Sequence, residues 1–180
     1  MKVSAIIVTR GDVELGPCLS SIDADEVVIR RGHGGVWERW EAAMSAKHDV
    51  VYVQDDDCVV NFDGVVEEYD PSVVTCNMLT SHWSDYPDGI ALVGWGCVFH
   101  KTMLSAFGQY LMKFSEDELF RREADRVFTG LNPLRVIDLG VHHLGAAFGA
   151  DRMGREARHG DDLKEIRRRI SLIRDAVKAA

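Results

Sequence analysis

The chain has 180 residues, of which 46% are apolar and 28% charged, and its formal net charge at pH 7 is −8. These proportions are typical of a globular protein with one hydrophobic core, and they exclude an intrinsically disordered chain. The longest nearly uncharged apolar stretch, Ile90 to Phe99, is too short for a membrane-spanning helix, which needs roughly 18–20 residues.

The cysteines and the first residues bear on the cellular compartment. Cys18, Cys58, Cys76 and Cys97 are scattered without a C-x-x-C spacing, which favours free thiols in a reducing environment. The N-terminus leads directly into strand-like sequence without the pattern of a secretory signal. We therefore expect a cytoplasmic protein.

The charge is unevenly distributed along the chain. Residues 1–151 contain 12 basic and 24 acidic residues, whereas residues 152–180 contain 9 basic and 5 acidic ones. An acidic body with a basic C-terminal segment indicates either a segment that contacts something anionic, such as phosphates or the body itself, or a solvated amphipathic helix.

Strands and helices alternate in the first third of the chain. The apolar patterns predict strands over Val3–Val8, Glu26–Ile29 and Val50–Val53, with helices over Leu15–Ile22 and Val36–Lys47 between them. In the second helix, Trp37, Trp40, Ala43 and Met44 recur at helical spacing. A β-α-β-α-β order predicts a parallel sheet with right-handed crossovers.

The later elements continue this alternation. We predict strands over Ser72–Met78, Ala91–Phe99 and Val136–Val141, a helix that begins near Ser115 and runs to about Arg126, and an amphipathic helix over Asp161–Lys178. The third of these strands ends in His142-His143, and the second carries the stretch GWG. Its glycines allow the backbone to pass close to a ligand or another strand.

Polar features follow the ends of the first three strands. Thr9-Arg10, the glycine-rich loop from Arg30 to Gly35 and the triplet Asp55-Asp56-Asp57 each come directly after a strand. Ligands of open parallel sheets bind beyond the carboxyl ends of the strands, so these features predict one shared site.

The triplet itself has two interpretations, which stay open at this point. Neighbouring carboxylates at the edge of a low-dielectric core repel each other and resist ionisation unless a positive charge is close. The triplet is either a solvated turn or the binding site of a divalent cation. Mg²⁺ and Mn²⁺ prefer oxygen ligands, and Mn²⁺ also accepts an imidazole, which His142 or His143 could supply.

Two stretches, VSAIIVTRGD and EVVIRRGHGGVWERWEAAMSAKHDVVYVQDDDCVV, resemble the nucleotide-binding half of the GT-A glycosyltransferases. Enzymes of that family have a first strand ending in Thr plus a polar residue, a glycine-containing loop after the second strand, a helix with a central Ala, and a strand ending in an Asp-x-Asp signature. The resemblance covers residues 3 to 60, and three later stretches are also similar: ALVGWGCVFHKTML, EADRVFTGLN and VHHLGAAFGADRMGREARHGDD.

The resemblance implies a three-layer α/β/α sandwich of GT-A type with a mostly parallel central sheet and a Rossmann-like nucleotide-binding half. It divides one catalytic domain, residues 1–180, into a donor-binding half over 1–60, an acceptor and catalytic half over 61–150, and a basic segment over 151–180. It also implies transfer of a hexose or pentose from a nucleoside diphosphate sugar to a hydroxyl acceptor, with Mn²⁺ or Mg²⁺ at the diphosphate.

Carried over to this sequence, the resemblance assigns the following roles. Metal ligands would be Asp57, Asp55 and one of His142 and His143. Substrate contacts would come from Thr9, Arg10, Arg30, Gly34, Gly35, Arg39, Asp55, Asp56, Trp95 and Gly96. The base that takes the acceptor's proton would be Asp125 or Glu123, and Arg126 is the residue expected to keep Asp125 ionised.

Two features depart from the family pattern. The family often has an acidic residue after the second strand that helps to read the base, whereas this chain has Arg30-Arg31, which suit phosphate instead. The chain is also short for the family, which favours a large acceptor or a second protomer that completes the site.

The acceptor and two rival functions stay open at this stage. The acceptor could be a glycan, a small molecule, a protein or a modified DNA base, although the acidic body opposes binding to nucleic acid. One rival is a metal-dependent phosphohydrolase, which would need a further close group of ligands for a second metal. The other is a nucleotide-sugar-binding module without catalytic activity.

Overall fold

A six-stranded sheet forms the centre of the protein in a computed structural model. The structure describes residues 1–31, 36–86, 89–114, 117–145 and 162–179. The strands of the central sheet are β1 (Val3–Thr9), β2 (Glu26–Arg31), β3 (Val50–Asp55), β5 (Val74–Asn77), β6 (Cys97–His100) and β7 (Leu134–Ile137). A second, two-stranded sheet consists of β4 (Cys58–Val59) and β8 (His142–His143).

The strand order is β2-β1-β3-β6-β5-β7. Strands β2, β1 and β3 are parallel, as the β-α-β-α-β pattern predicts, and β5 and β7 are parallel to each other. Strand β6 is antiparallel to both of its neighbours, β3 and β5. The predicted architecture, a mostly parallel sheet between helices, is therefore confirmed.

Seven helices accompany the strands in the described residues. They are α1 (Gly16–Ser20), α2 (Trp37–Ser45), α3 (Phe62–Glu67), α4 (Leu104–Phe114), α5 (Glu118–Arg122), α6 (Ala124–Leu131) and α7 (Asp162–Lys178). Short 3₁₀ helices span Thr80–Asp85 and Lys101–Met103. None of the helices in the described ranges is long and apolar enough to cross a membrane.

The core divides into two clusters because side chains alternate between the two faces of each strand. On one face, Ile6, Val51 and Val53 pack with Trp37 and Trp40 of α2 and with side chains of α4, α5, α6 and α7. On the other face, Ala5, Val50 and Tyr52 pack with Phe62 and Val65 of α3. Helices thus cover both faces of the sheet, which gives the three predicted layers.

Aromatic rings fill the larger cluster. The Trp40 ring lies 4.1 Å from Phe128 and 5.3 Å from Phe107 between ring centroids, and the Trp37 ring meets Phe120 edge-on at 4.8 Å. These contacts join α2 to α4, α5 and α6. The fourth apolar residue predicted on the same face of α2, Met44, is partly exposed instead.

Three predicted elements differ from the structure. The strand predicted over Ala91–Phe99 is confined to Cys97–His100, and residues 91–96 are not part of a strand. The strand predicted over Val136–Val141 is β7, which ends at Ile137, so His142-His143 belongs to a different sheet. The helix predicted from Ser115 to Arg126 is two helices, α5 and α6, and Ser115 itself lies outside the described residues.

The basic C-terminal helix contacts the body. Ile166, Ile170 and Ile173 are buried, and α7 packs so closely on α6 that a Cβ at Gly130 would lie 2.7 Å from Ile170. Arg169 is ion-paired with Asp117 at 2.6 Å. The interpretation that this segment meets the body is therefore confirmed for α7, whereas Arg152, Arg155 and Arg158 lie outside the described residues.

Candidate active site

The ends of three parallel strands bring the predicted donor-binding residues to one edge of the sheet. Val8 of β1 lies opposite Asp55 of β3 on one side and opposite Arg30 of β2 on the other. Thr9, which follows Val8, is buried, while Arg10 and Arg30 are exposed. Gly34 and Gly35 lie outside the described residues.

The antiparallel strand β6 adds a second set of residues to the same edge. Because β6 runs opposite to its neighbours, its beginning lies where theirs end. The turn Gly94-Trp95-Gly96, which precedes β6, therefore reaches the carboxyl edge. Gly96 has a φ of +96°, in the left-handed region that glycine tolerates best.

A buried arginine connects the aspartate triplet to the predicted catalytic aspartate. Arg39 of α2 donates from Nη2 to Asp55 Oδ1, and its Nη1 lies 3.4 Å from Asp125 Oδ2. Burial alone would lower the pKa of Arg39, but the carboxylates of Asp125 and Asp55 raise it above its ordinary value. The guanidinium therefore stays charged between two carboxylates that come from distant parts of the chain.

Gly94 completes the environment of Asp55. The Asp55 backbone N–H donates to the Gly94 carbonyl at 2.8 Å, and the Asp55 carboxylate occupies the space that a Cβ on residue 94 would fill. Any side chain at position 94 would displace the Asp55 carboxylate from Arg39. Position 94 therefore belongs to the candidate site, although no sequence pattern distinguishes it from the other glycine of the GWG stretch.

Asp125 is anchored by two neighbouring residues of α2. Besides its ion pair with Arg39, it accepts a hydrogen bond from Trp40 Nε1 at 3.0 Å. Burial raises the pKa of the Asp125 carboxyl to about 6, Arg39 opposes the rise, and the negative charge of Asp55 adds to it. A carboxylate with this pKa is mostly ionised at pH 7 and still basic enough to accept a proton.

The expected partnership of Asp125 with Arg126 is wrong. Arg126 is ion-paired with Glu123 at 2.6 Å, and its guanidinium also lies over the Tyr86 ring at 5.5 Å. On a helix, residues 123 and 126 are one turn apart and face the same way, whereas adjacent residues diverge. Glu123, the other predicted base, is thus buried in a separate ion pair, and Asp125 alone is linked to the triplet through Arg39.

The other two aspartates of the triplet are buried. Burial raises the pKa of Asp56, Thr9 opposes the rise with a hydrogen bond, and the charges of Asp55 and Asp57 add to it. Among the described residues, Asp56 Oδ2 has no hydrogen-bond partner. The triplet is therefore not a solvated turn, because Asp56 and Asp57 are almost completely withdrawn from water.

The two histidines lie directly beside the triplet. Strand β8 pairs with β4, so that His143 is opposite Cys58 and His142 is opposite Val59. The Leu144 N–H donates to the Asp57 carbonyl at 2.8 Å, which continues the pairing to the triplet itself. Both imidazoles are exposed at this edge.

Trp95 lies between two imidazole rings. Its ring centroid is 4.9 Å from that of His143 and 5.0 Å from that of His82, and both contacts are edge-to-face. His82 comes from the 3₁₀ helix Thr80–Asp85, which is tied to the end of β7 by a hydrogen bond from Thr80 N–H to Asp138 Oδ2 at 2.7 Å. The sequence predicted Trp95 and His143 at the site but gave no signal for His82.

Asn77, at the end of β5, holds these segments together. Its Nδ2 donates to the carbonyls of Trp95 and Gly140, each at 2.9 Å, and its Oδ1 accepts from Leu139 N–H at 2.8 Å. This buried side chain joins the turn before β6 to the segment that leads into β8. A polar residue closing an apolar strand was the only sequence signal for this role.

A second network of buried hydrogen bonds connects the residues immediately before and after the triplet. Tyr52 donates to Gln54 Oε1 at 2.5 Å, and Gln54 Nε2 donates to the Cys58 carbonyl at 2.8 Å. Cys18 lies against Gln54, and burial raises the pKa of its thiol to about 12, so that the thiol stays protonated. These side chains fix the backbone on both sides of the three aspartates.

The residues present fit a hard divalent cation in part. The described residues contain no group of three or more His, Cys, Asp or Glu side chains arranged to hold a metal ion. They do provide two buried carboxylates, one with an unpartnered oxygen, next to two imidazoles. One or two carboxylates suffice when phosphate oxygens and water supply the other ligands.

Comparison with known proteins shows the class of fold to which the chain is similar. Neither a protein-family model nor a curated protein sequence matches the chain. The solved structure of S. aureus TarS 1-349 is similar with a TM-score of 0.51 and 14% identity, over 96% of this chain and 65% of that one. The chain therefore has a GT-A-like fold, and it spans less than two thirds of TarS.

Two further solved structures show weaker likeness. One is A197 from STIV, with a TM-score of 0.48 and 18% identity, over 81% of this chain and 86% of that one. The other is glucosyl-3-phosphoglycerate synthase from Mycobacterium tuberculosis in complex with Mn²⁺, UDP and phosphoglyceric acid. Its TM-score is 0.49 and its identity 11%, over 94% of this chain and 78% of that one.

The raised pKa of Asp125 predicts how stability depends on pH. Between pH 4 and pH 6 the folded protein binds a proton at Asp125 that the unfolded chain has released, so the free energy of unfolding falls as pH rises through this window. Relative to Asp125→Asn, the wild type should lose about 2–3 kcal/mol between pH 4 and pH 7. Urea unfolding at several pH values measures the difference.

Asp138→Asn is the matched control for this measurement. Hydrogen bonds from the N–H groups of Thr80 and Gly140 lower the pKa of Asp138, so the stability that it contributes is lost only as pH falls below the same window. Its difference from the wild type should stay nearly constant from pH 4 to pH 7. A constant difference for Asp125→Asn as well would show that the Asp125 pKa is not raised.

Asn77→Asp tests the role of Asn77 as a junction. The substitution replaces two donors by a carboxylate oxygen that faces two carbonyl oxygens, and it should lower the free energy of unfolding by about 2–4 kcal/mol. Asn61→Asp is the same chemical change at the start of α3, where the side chain only accepts a hydrogen bond from Gly64 N–H. That control should leave the free energy of unfolding nearly unchanged. Equal losses of stability in both variants would contradict the role proposed for Asn77.

Proposed function

We propose that the protein is a metal-dependent glycosyltransferase that moves a sugar from a nucleoside diphosphate sugar to a hydroxyl acceptor. The observation that carries the proposal is the buried Arg39, which joins the aspartate triplet to a second carboxylate, Asp125, at the carboxyl edge of a GT-A-like sheet. Donor-binding and proton-accepting groups are thereby held at a fixed separation.

The donor would bind along the ends of β1, β2 and β3. The buried Thr9 and the exposed Arg10 and Arg30 lie at that edge, and the two guanidinium groups suit the oxygens of a diphosphate. Trp95 and Gly96 form the opposite side, at the start of β6. In this proposal the donor pocket belongs to residues 1–60, and residues of the following half close it.

A divalent cation, Mn²⁺ or Mg²⁺, would neutralise the charge that grows on the leaving diphosphate. We assign its protein ligands to Asp57 and one of His142 and His143, because the pairing of β4 with β8 brings the backbone of these residues together. Asp56, with its unpartnered Oδ2, adds a second oxygen close by. Asp55 would have to be shared between the cation and Arg39, so its main role in this proposal is the link to Asp125.

Asp125 is the proposed base for the acceptor hydroxyl. Its side chain is 17% exposed, and its pKa of about 6, which burial raises, suits proton transfer near neutral pH. Trp40 and Arg39 orient the carboxylate. Glu123 lacks this link, because it is paired with Arg126.

Asp57→Asn tests the metal proposal. In a thermal-shift screen of nucleoside diphosphates and their sugars, with and without Mn²⁺, a bound ligand should raise the melting temperature, since ligand at about a hundredfold excess over Kd stabilises the folded state by about 2.7 kcal/mol. We expect Asp57→Asn to abolish the Mn²⁺-dependent part of the shift, because it removes an anionic oxygen ligand.

The exposed Asp63→Asn is the control for this screen, since it removes the same charge from the surface of α3. It should keep the full response to Mn²⁺. Melting temperatures without ligand show whether Asp57→Asn has itself weakened the fold. A metal response that survives in a folded Asp57→Asn protein removes Asp57 from the metal site.

Asp125→Asn tests the proposed base. Asn keeps an acceptor for Trp40 Nε1 but cannot take a proton, so the donor-induced thermal shift should be retained while sugar transfer falls by about 10²–10⁴-fold. Loss of donor binding would place Asp125 in the donor pocket instead.

The same assays separate the rival functions. Release of phosphate from a nucleotide without transfer to an acceptor would support a phosphohydrolase. Donor binding without transfer or hydrolysis, for every acceptor class tested, would support a binding module.

A further inference from the structure

Strand β2 is at one end of the sheet, and one of its edges has no paired strand among the described residues. Strand β2 pairs with β1 on one side, and no strand of the described ranges pairs with its other side. Its backbone N–H and C=O groups along that side can therefore accept another strand. Val27 and Ile29 of β2 are 43% and 40% exposed, which is unusual for β-branched residues in a sheet.

The two exposed residues share one face of the strand. Side chains alternate along β2, and Val28 between them packs against the core cluster that contains α2. Val27 and Ile29 therefore project to the opposite face. Acidic residues, Asp25 and Glu26, precede them, and basic residues, Arg30 and Arg31, follow them.

We propose that two copies of this chain associate by antiparallel pairing of β2 with β2 of the partner. This inference does not rest on the proposed function, although Arg30, which is proposed there to contact the diphosphate, also takes part in the pairing. A two-fold axis perpendicular to the sheet through Val28 places Val27 opposite the partner's Ile29, on the same face, and Glu26 opposite the partner's Arg30. One step further out, Asp25 lies opposite the partner's Arg31.

The charges select this register over its neighbours. Centring the pair on Ile29 would place Arg31 opposite Val27, and centring it on Val27 would place Asp25 opposite Ile29. Only the register through Val28 sets apolar residues against apolar residues and unlike charges against each other at both ends. Because the interface is isologous, each favourable pair occurs twice.

The acidic ends of the strands are already fixed in place. Glu26 Oε2 accepts hydrogen bonds from Ser4 Oγ at 2.5 Å and from Lys47 N–H at 2.7 Å, and Asp25 Oδ2 accepts from Val3 N–H at 2.8 Å. These bonds hold the carboxylates ionised and lower the pKa of both groups. Little side-chain entropy is then lost at these two carboxylates when an arginine of the partner approaches.

The geometry points to a weak dimer. Six residues per strand cover much less than the roughly 800 Å² per partner of a standard interface. Association should therefore depend on concentration in the micromolar to millimolar range, and it should weaken at high salt because both ends rest on exposed charges.

Sedimentation velocity of the full chain, from about 5 to 500 µM at low and high salt, measures this association. We expect a monomer–dimer equilibrium, and we expect Val27→Lys and Ile29→Lys each to weaken it about tenfold or more. Leu172→Lys, at a residue of α7 that is 45% exposed, is the matched control and should leave it unchanged. Melting temperatures confirm that all three variants are folded.

Cysteine cross-linking tests the register. The four native cysteines are buried free thiols, so an introduced surface cysteine is the one that reacts. An equimolar mixture of Val27→Cys and Ile29→Cys proteins should form a disulfide-linked dimer readily, whereas either variant alone should form much less. A wild type that is monomeric throughout, a dimer that persists in the lysine variants, or equal cross-linking of the single variants would each overturn the proposal.

Discussion

A buried guanidinium between two carboxylates is the constraint on which the rest of the site depends. Arg39 is almost completely withdrawn from water, and a charge in such a place is tolerated only when it is paired. Its partners, Asp55 and Asp125, are 70 residues apart in the chain and come from the end of β3 and the first turn of α6. The ion pairs therefore fix the position of α6 relative to the sheet, and the aromatic packing around Trp40 supports the same arrangement.

The surroundings of this ion pair explain why three adjacent aspartates are possible. Asp55 has a cation of its own, Asp56 has the hydroxyl of Thr9, and Asp57 is held by backbone pairing with the strand that carries the histidines. Burial is the main cause of the raised pKa of Asp56, and the negative charges of Asp55 and Asp57 add to it, so some repulsion among the three carboxylates remains. A site that keeps such repulsion in its folded state is well suited to attract a cation or the positively charged part of a complex.

The sequence predicted the elements whose signal is local and failed where the arrangement depends on tertiary contacts. β1, α2 and β3 follow from apolar periodicity, and the triplet lies at the end of β3 as its position predicts. The run from Ala91 to Phe99 is apolar throughout, which does not distinguish a strand from a buried turn, so the start of β6 was missed. No sequence pattern indicated helix α4. The partner predicted for Arg126 was wrong because residues adjacent in the sequence were assumed to be adjacent in space. The roles of Asn77, His82 and Gly94 could not be predicted, since each is defined by contacts with residues at least 13 positions away.

The fit of the Asp55 carboxylate against Gly94 has a consequence for how this sequence can diverge. The carboxylate of Asp55 fills the space beside the backbone of Gly94, so the two positions cannot be altered independently. A related protein that carries alanine or serine at position 94 must have moved or shortened the side chain at position 55, and Arg39 would then lose one of its two carboxylate partners. We therefore expect that relatives in which the contact between these two residues differs carry substitutions at both positions rather than at one alone.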